Sequence, residues 1–144
     1  LEIARDSGNR LHQCHFLCNL GNSYMRRDQL EEAESCFREG ILCCDEMDTV
    51  AAGHTRAAFA LLLANQERFD EALPLLRVAE PQIVSNPFIR ARFLCTKGEV
   101  LHLAGDADGA RTALEQAREM ARKMKLNNKG ELSDAIAELS AMLG

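Results

Sequence analysis

The chain repeats itself. Gly21, Ala60 and Gly98 recur at intervals of 39 and 38 residues, and three further columns keep the same intervals: Ala33, Ala72 and Ala110; Phe37, Leu76 and Leu114; Gly40, Ala79 and Ala117. Four columns in one register leave few folds open, because a unit of this length is one supersecondary element that cannot bury both of its faces alone. Neighbouring units must stack. The residue types point to helix pairs. A small residue midway along a first helix lets a second approach closely, and the second answers with two small residues around a large apolar one, as in Ala33, Phe37 and Gly40.

Local signals agree. Leu17, Leu20 and Tyr24 lie on one helical face, and "RRDQ" at 26–29 breaks the period before "LEEAESCF" resumes it. Asp28 is placed to cap the next helix, with Glu31 three residues later completing a capping-box pattern. The second hairpin reads through "TRAAFALLLANQ" and "FDEALPLLRVA", with Pro74 near the start of its second helix. "PQIVSNP" at 81–87 is the clearest connecting loop. The third hairpin divides at "AGD", and a break at "LNNKG" precedes a single amphipathic helix, "ELSDAIAELSAML", with the character of a cap. The organisation expected is one domain over 1–144, cut from a larger protein. Residues 1–9 end a preceding repeat, 10–48, 49–86 and 87–126 form three repeats, and 127–144 form the cap.

Composition fits a single globular unit. At 144 residues, 47% hydrophobic and 27% charged, the chain can bury roughly 68–70% of its unfolded surface without staples. No apolar run has the length of a bilayer span, and the first residues lack the pattern of a signal peptide. A net charge of -5 argues against nucleic acid or an acidic membrane as partner, since such binding rests on a basic footprint. The one basic cluster, Arg111, Arg118, Arg122, Lys123, Lys125 and Lys129, reads as a solvated helix face. Six cysteines, five of them within 31 residues, fit reduced thiols in the cytoplasm better than a disulfide framework.

The first hairpin, with Leu17, Leu20, Gly21, Tyr24, Ala33, Phe37 and Gly40, resembles the tetratricopeptide repeat, in which Trp or Leu, Leu-Gly, Tyr, Ala, Phe and Ala recur at these spacings. The third repeat follows with Leu94, Lys97, Gly98, Leu101, Ala110, Leu114 and Ala117. The second keeps Ala72, Leu76 and Ala79 but has Arg56, Phe59, Ala60 and Leu63 in its first helix. The resemblance implies an all-α, right-handed superhelical α-solenoid of antiparallel hairpins, about three repeats plus a C-terminal capping helix. The long period and the tail resemble arrays attached to bacterial signalling and regulatory proteins. What this implies is a protein–protein interaction scaffold, not an enzyme, at the C-terminal end of such a regulator. A self-association or autoregulatory segment is the alternative.

Stacked hairpins curve and leave their first helices lining a concave surface. The register puts His15, Cys18, Asn22, Met25 and Arg26 there, then His54, Ala57, Leu61 and Asn65, then Arg92, Cys95, Glu99 and His102. Such a groove can take a protein or peptide, with Asn22 holding backbone and Arg92 or Arg26 meeting carboxylates. Three histidines, His15, His54 and His102, are expected along it as partly exposed polar side chains. The carboxylate clamp of chaperone-tail-binding members is incomplete: Asn22 and Arg92 are present, but Cys18, Ala58 and Thr96 stand where further clamp residues belong. A third reading is a metal or redox site from His12, Cys14, His15 and Cys18 with Cys36, Cys43 and Cys44. Against it, Cys36 and Cys43 project from different faces and the thiols of Cys43 and Cys44 point about 100° apart on a helix. No cofactor, phosphate loop or catalytic triad is legible.

Overall fold

In the computed structural model, which describes the backbone of residues 2–44, 49–125 and 130–144, the described residues form helices and turns only. Side chains are described from residue 9 onward within these segments, apart from that of residue 11. The helices are α1 (Glu2–Arg26), α2 (Leu30–Cys44), α3 (Thr49–Asn65), α4 (Phe69–Gln82), α5 (Pro87–Leu103), α6 (Ala107–Lys123) and α7 (Glu131–Leu143). Each odd helix packs on the even one that follows, α3 also packs on α1 and α2, and α5 packs on α3 and α4. This is the stacked-hairpin solenoid that the repeat demands.

The three hairpin turns are copies of one another. Asp28, Glu67 and Gly105 hold φ values of 62°, 61° and 90°, at the same intervals as the buried columns. In each turn the next residue donates its N–H back across the helix end: Gln29 to Tyr24 at 2.9 Å, Arg68 to Leu63 at 2.9 Å and Asp106 to Leu101 at 2.8 Å. That is a Schellman closure, which satisfies carbonyls the helix would otherwise orphan. Only the third copy uses glycine, the residue suited to a left-handed backbone. Asp28 therefore ends α1 instead of capping α2. Side-chain caps occur in the third hairpin, where Asn86 Oδ1 accepts from the N–H of Ile89 and Asp106 Oδ1 from that of Gly109.

Three further expectations change. The backbone is helical without a break from Glu2 to Arg26, so residues 2–9 extend the first helix of repeat 1 instead of ending a separate one. α4 continues through Pro81 to Gln82, and Pro87 opens α5, which shrinks the expected 81–87 loop to 83–86. Proline is tolerated at both places because a last turn loosens and a first turn has no N–H bond to lose. The boundary placed after residue 48 and the break over 126–129 lie outside the described residues.

One core runs through the first two hairpins and into α5, from Cys18 and Phe37 through Phe59, Leu62 and Leu63 to Phe93 and Val100. A second joins α5 and α6 to α7 through Leu94, Leu114, Leu132 and Leu139. Close approach explains the small columns. A Cβ on Gly21 would stand 2.7 Å from Phe37 Cε1, and one on Gly98 would stand 2.6 Å from Leu139 Cδ2. At Gly98, then, the space serves α7. Glu131 follows Arg92 by 39 residues and pairs with it, so α7 occupies the place of the next repeat's first helix.

Ion pairs stitch the hairpins on the outer side. Arg68, from the second turn, bonds Glu34 of α2 at 2.8 Å and Glu71 of α4 at 2.8 Å, and Arg38 reaches Glu34 at 2.7 Å. Hydrogen bonds from Arg68, then Arg38, hold the Glu34 carboxyl below the ordinary glutamate range. A depressed acid stabilises the fold fully above its unfolded pKa, about 4.3 for glutamate, and that stability is lost as pH falls through the folded pKa. Thermal stability is therefore expected to drop as pH falls below about 4.3. Glu34→Gln should flatten that slope, as read by melting temperature against pH.

Candidate partner-binding surface

The first helix of every hairpin turns one face inward, and α7 continues the row. Between them lies a hollow of about 510 Å³ lined by Asn22, Met25 and Arg26 of α1, His54, Ala57 and Leu61 of α3, and Arg92, Cys95 and Glu99 of α5. Asn19, Ala58, Phe93 and Thr96 complete those walls, and Glu131, Ala135 and Glu138 of α7 close the end. A smaller dent of about 170 Å³ adjoins it between Cys14, His15, Cys18, Val50, Ala51, Thr55 and Ile89, sharing Asn19 and His54 with the larger hollow.

Of the expected groove residues, His15 and Cys18 fall in the dent, and Asn65 and His102 line neither space. Cys18 and Cys95, expected on the concave face, are 5% and 2% exposed, Cys18 in the wall of the dent and Cys95 in that of the larger hollow. The histidine row is also corrected. The 39- and 38-residue intervals carry His15 to His54 and then to Arg92, whereas His102 sits three turns further along α5. His54 is exposed yet stands among the groove walls; desolvation, then the charges of Arg92 and His15, lower its pKa. It is a neutral hydrogen-bonding group at neutral pH.

Arg92 already has a carboxylate partner, with which a bound segment's carboxylate would compete. Its guanidinium donates to Glu131 Oε2 at 2.7 Å, so the chain's own α7 occupies it. Glu99 faces the opposite condition. Burial, then the neighbouring Glu138, raise its pKa, because a desolvated carboxylate beside a like charge resists ionising. The α7 side of the hollow was missed from sequence, although the 39-residue interval from Arg92 to Glu131 and from Glu99 to Glu138 signals it.

The cysteines pack. Cys14 packs in one cluster with Cys44 and Cys43, so two thiols expected to diverge both lie near a third at the α1–α2 seam. All six are free. Burial raises the pKa of Cys18, Cys36, Cys43 and Cys44, and that of Cys95 to about 11, which keeps these thiols protonated and weakly nucleophilic. Among the described residues no group of three or more His, Cys, Asp or Glu side chains is arranged to hold a metal ion.

Models of the tetratricopeptide repeat match residues 15–44 and 91–116, the stretches that build the α1–α2 and α5–α6 seams. The chain carries tetratricopeptide repeats over these two stretches. Neither the curated proteins nor the solved structures give a match. Tetratricopeptide repeats are interaction modules, a non-enzymatic scaffold whose work is to hold other proteins. Between the matched stretches this one keeps its register through Ala60, Ala72, Leu76 and Ala79, all buried. Among the described residues no helix is long and apolar enough to cross a membrane.

Proposed function

We propose that this tetratricopeptide domain binds an extended protein or peptide segment in its concave hollow, as the partner-recruiting C-terminal module of a cytoplasmic bacterial regulatory protein. The observation that carries the reading is the hollow itself. It is walled by four successive inner helices and floored by small residues, Ala57, Ala58 and Cys95. It is rimmed by amides and charges, Asn19, Asn22, Arg26 and Glu99. Small floor residues leave room for a backbone, and side-chain amides can both donate to and accept from it.

The test is selection from a random dodecapeptide library displayed on phage, followed by titration of the enriched peptides. Asn22→Ala should weaken them three- to ten-fold, the worth of one neutral hydrogen bond of about 0.5–1.5 kcal/mol. Ala58→Arg should abolish binding by filling the floor. Peptides indifferent to both changes would refute the groove.

One observation favours self-association as a second reading. Phe16 is 62% exposed, whereas Thr55 and Phe93, which follow it at the repeat intervals, are 1% and 3% exposed. In repeats 2 and 3 the preceding hairpin covers this position. On α1 an aromatic ring waits for an equivalent cover, and a second copy is one source. Sedimentation equilibrium should then show a dimer that Phe16→Lys dissociates; monomer alone at high concentration removes this reading.

A further inference from the structure

The two ends of the concave surface differ in chemistry, and the difference specifies an occupant. At the α1–α3 end the dent has an apolar side, Cys14, Cys18, Val50, Ala51 and Ile89, beside the polar His15, Asn19, His54 and Thr55, and the apolar side suits an aliphatic side chain. At the α5–α7 end Glu99 and Glu138 face one another, and no cation is paired with either among the described residues. Of the two arginines that line the hollow, Arg26 and Arg92, Arg92 pairs with Glu131 at 2.7 Å. Two like charges on a partly desolvated wall are an unfavourable arrangement that an incoming cation relieves.

The spacing between the two features follows from helix geometry. The α1–α3 gap and the α5–α7 gap are two helix spacings apart, roughly 16–20 Å at about 8–10 Å each. From Ile89 to Glu99 the chain also rises ten residues along α5, about 15 Å. The diagonal is on the order of 20–25 Å, which six to eight residues of extended chain span. Resting on the groove reading above, we propose that the bound segment carries an aliphatic side chain in the α1–α3 dent. Six to eight residues away it carries a lysine or arginine whose cation is received between Glu99 and Glu138.

Dodecapeptides selected on the wild-type chain supply the probe. They should share a basic position six to eight residues from an aliphatic one. Replacing that basic residue by norleucine should weaken binding to the wild type at least ten-fold, as expected for a charge-assisted hydrogen bond. The Glu99→Gln/Glu138→Gln double variant loses two mutually repelling carboxylates, so it should fold at least as well. It should bind the basic and norleucine peptides equally, and the wild type's preference should shrink with added salt. Peptides blocked by Ala58→Arg but lacking a shared basic position, or insensitive to the double variant, would overturn this inference and leave the groove standing. Peptides insensitive to Ala58→Arg would overturn both.

Discussion

Phe37→Ala should destabilise the domain by about 3–5 kcal/mol, the cost of deleting a fully buried aromatic side chain where the surroundings cannot collapse. Phe37 is 0% exposed and its ring stacks on Phe59 with centroids 6.0 Å apart and planes inclined by 28°. The side opposite is fixed by Gly21, whose lack of a Cβ makes room for the ring. Because Phe59 belongs to α3, the ring ties hairpin 1 to hairpin 2 as well as α1 to α2. A domain of this size is stable by about 5–15 kcal/mol in total, so the loss is a third or more of what holds it. Urea denaturation reads it as a lowered midpoint. Phe16→Ala, removing a ring that is 62% exposed, should change stability by no more than about 0.5 kcal/mol. A Phe37→Ala loss below about 1 kcal/mol would mean that the α1–α2 seam is not packed as described.

Leu139→Ala has the second-largest expected effect, about 2–5 kcal/mol, and this one reaches the concave hollow. α7 is held chiefly by Leu132 and Leu139, 1% and 0% exposed, and Leu139 fills the space that Gly98 leaves open. Arg118 Nη2 adds a bond to Ser140 Oγ at 2.9 Å, and the Arg92–Glu131 pair is too exposed, at 38% and 76%, to hold the helix by itself. Truncating Leu139 should therefore release α7 ahead of global unfolding, as terminal repeat elements do. Amide exchange in α7 should accelerate at least about thirty-fold, the equivalent of 2 kcal/mol, while α1–α4 keep their protection. The same change removes Glu131 and Glu138 from the hollow. Uniform acceleration through all helices would show that α7 is not a separable cap.

The architecture was legible because packing columns repeat: Gly21, Ala60 and Gly98 are fixed by close approach, and no tertiary knowledge is needed to align them. The turns were legible only as breaks. That Asp28 and Glu67 take the left-handed conformation of Gly105 follows from register, but the residue type at 28 reads equally well as a cap. The site was half legible. Cys18, Asn22, Leu61 and Glu99 follow from helical periodicity, whereas Asn65 and His102 were placed by sliding past the end of the curved wall. Whether Arg92 is available depends on α7. Its residues come from beyond the last complete hairpin, and with no second helix after it the register shows only in the 39-residue steps to Glu131 and Glu138. The thiol cluster escaped for a related reason, since Cys14 meets Cys43 and Cys44 across the open end of a hairpin whose separation sequence does not give.

The central claim, that the inner faces of the odd-numbered helices form the partner-binding surface, is tested most directly by NMR titration of the isotope-labelled chain with the tightest selected dodecapeptide. The account predicts saturable shifts clustered at Asn22, Ala57, Ala58, Leu61, Cys95 and Thr96, with the outer positions Arg38, Glu71 and Arg77 unmoved. Shifts confined to α2, α4 and α6 would contradict it.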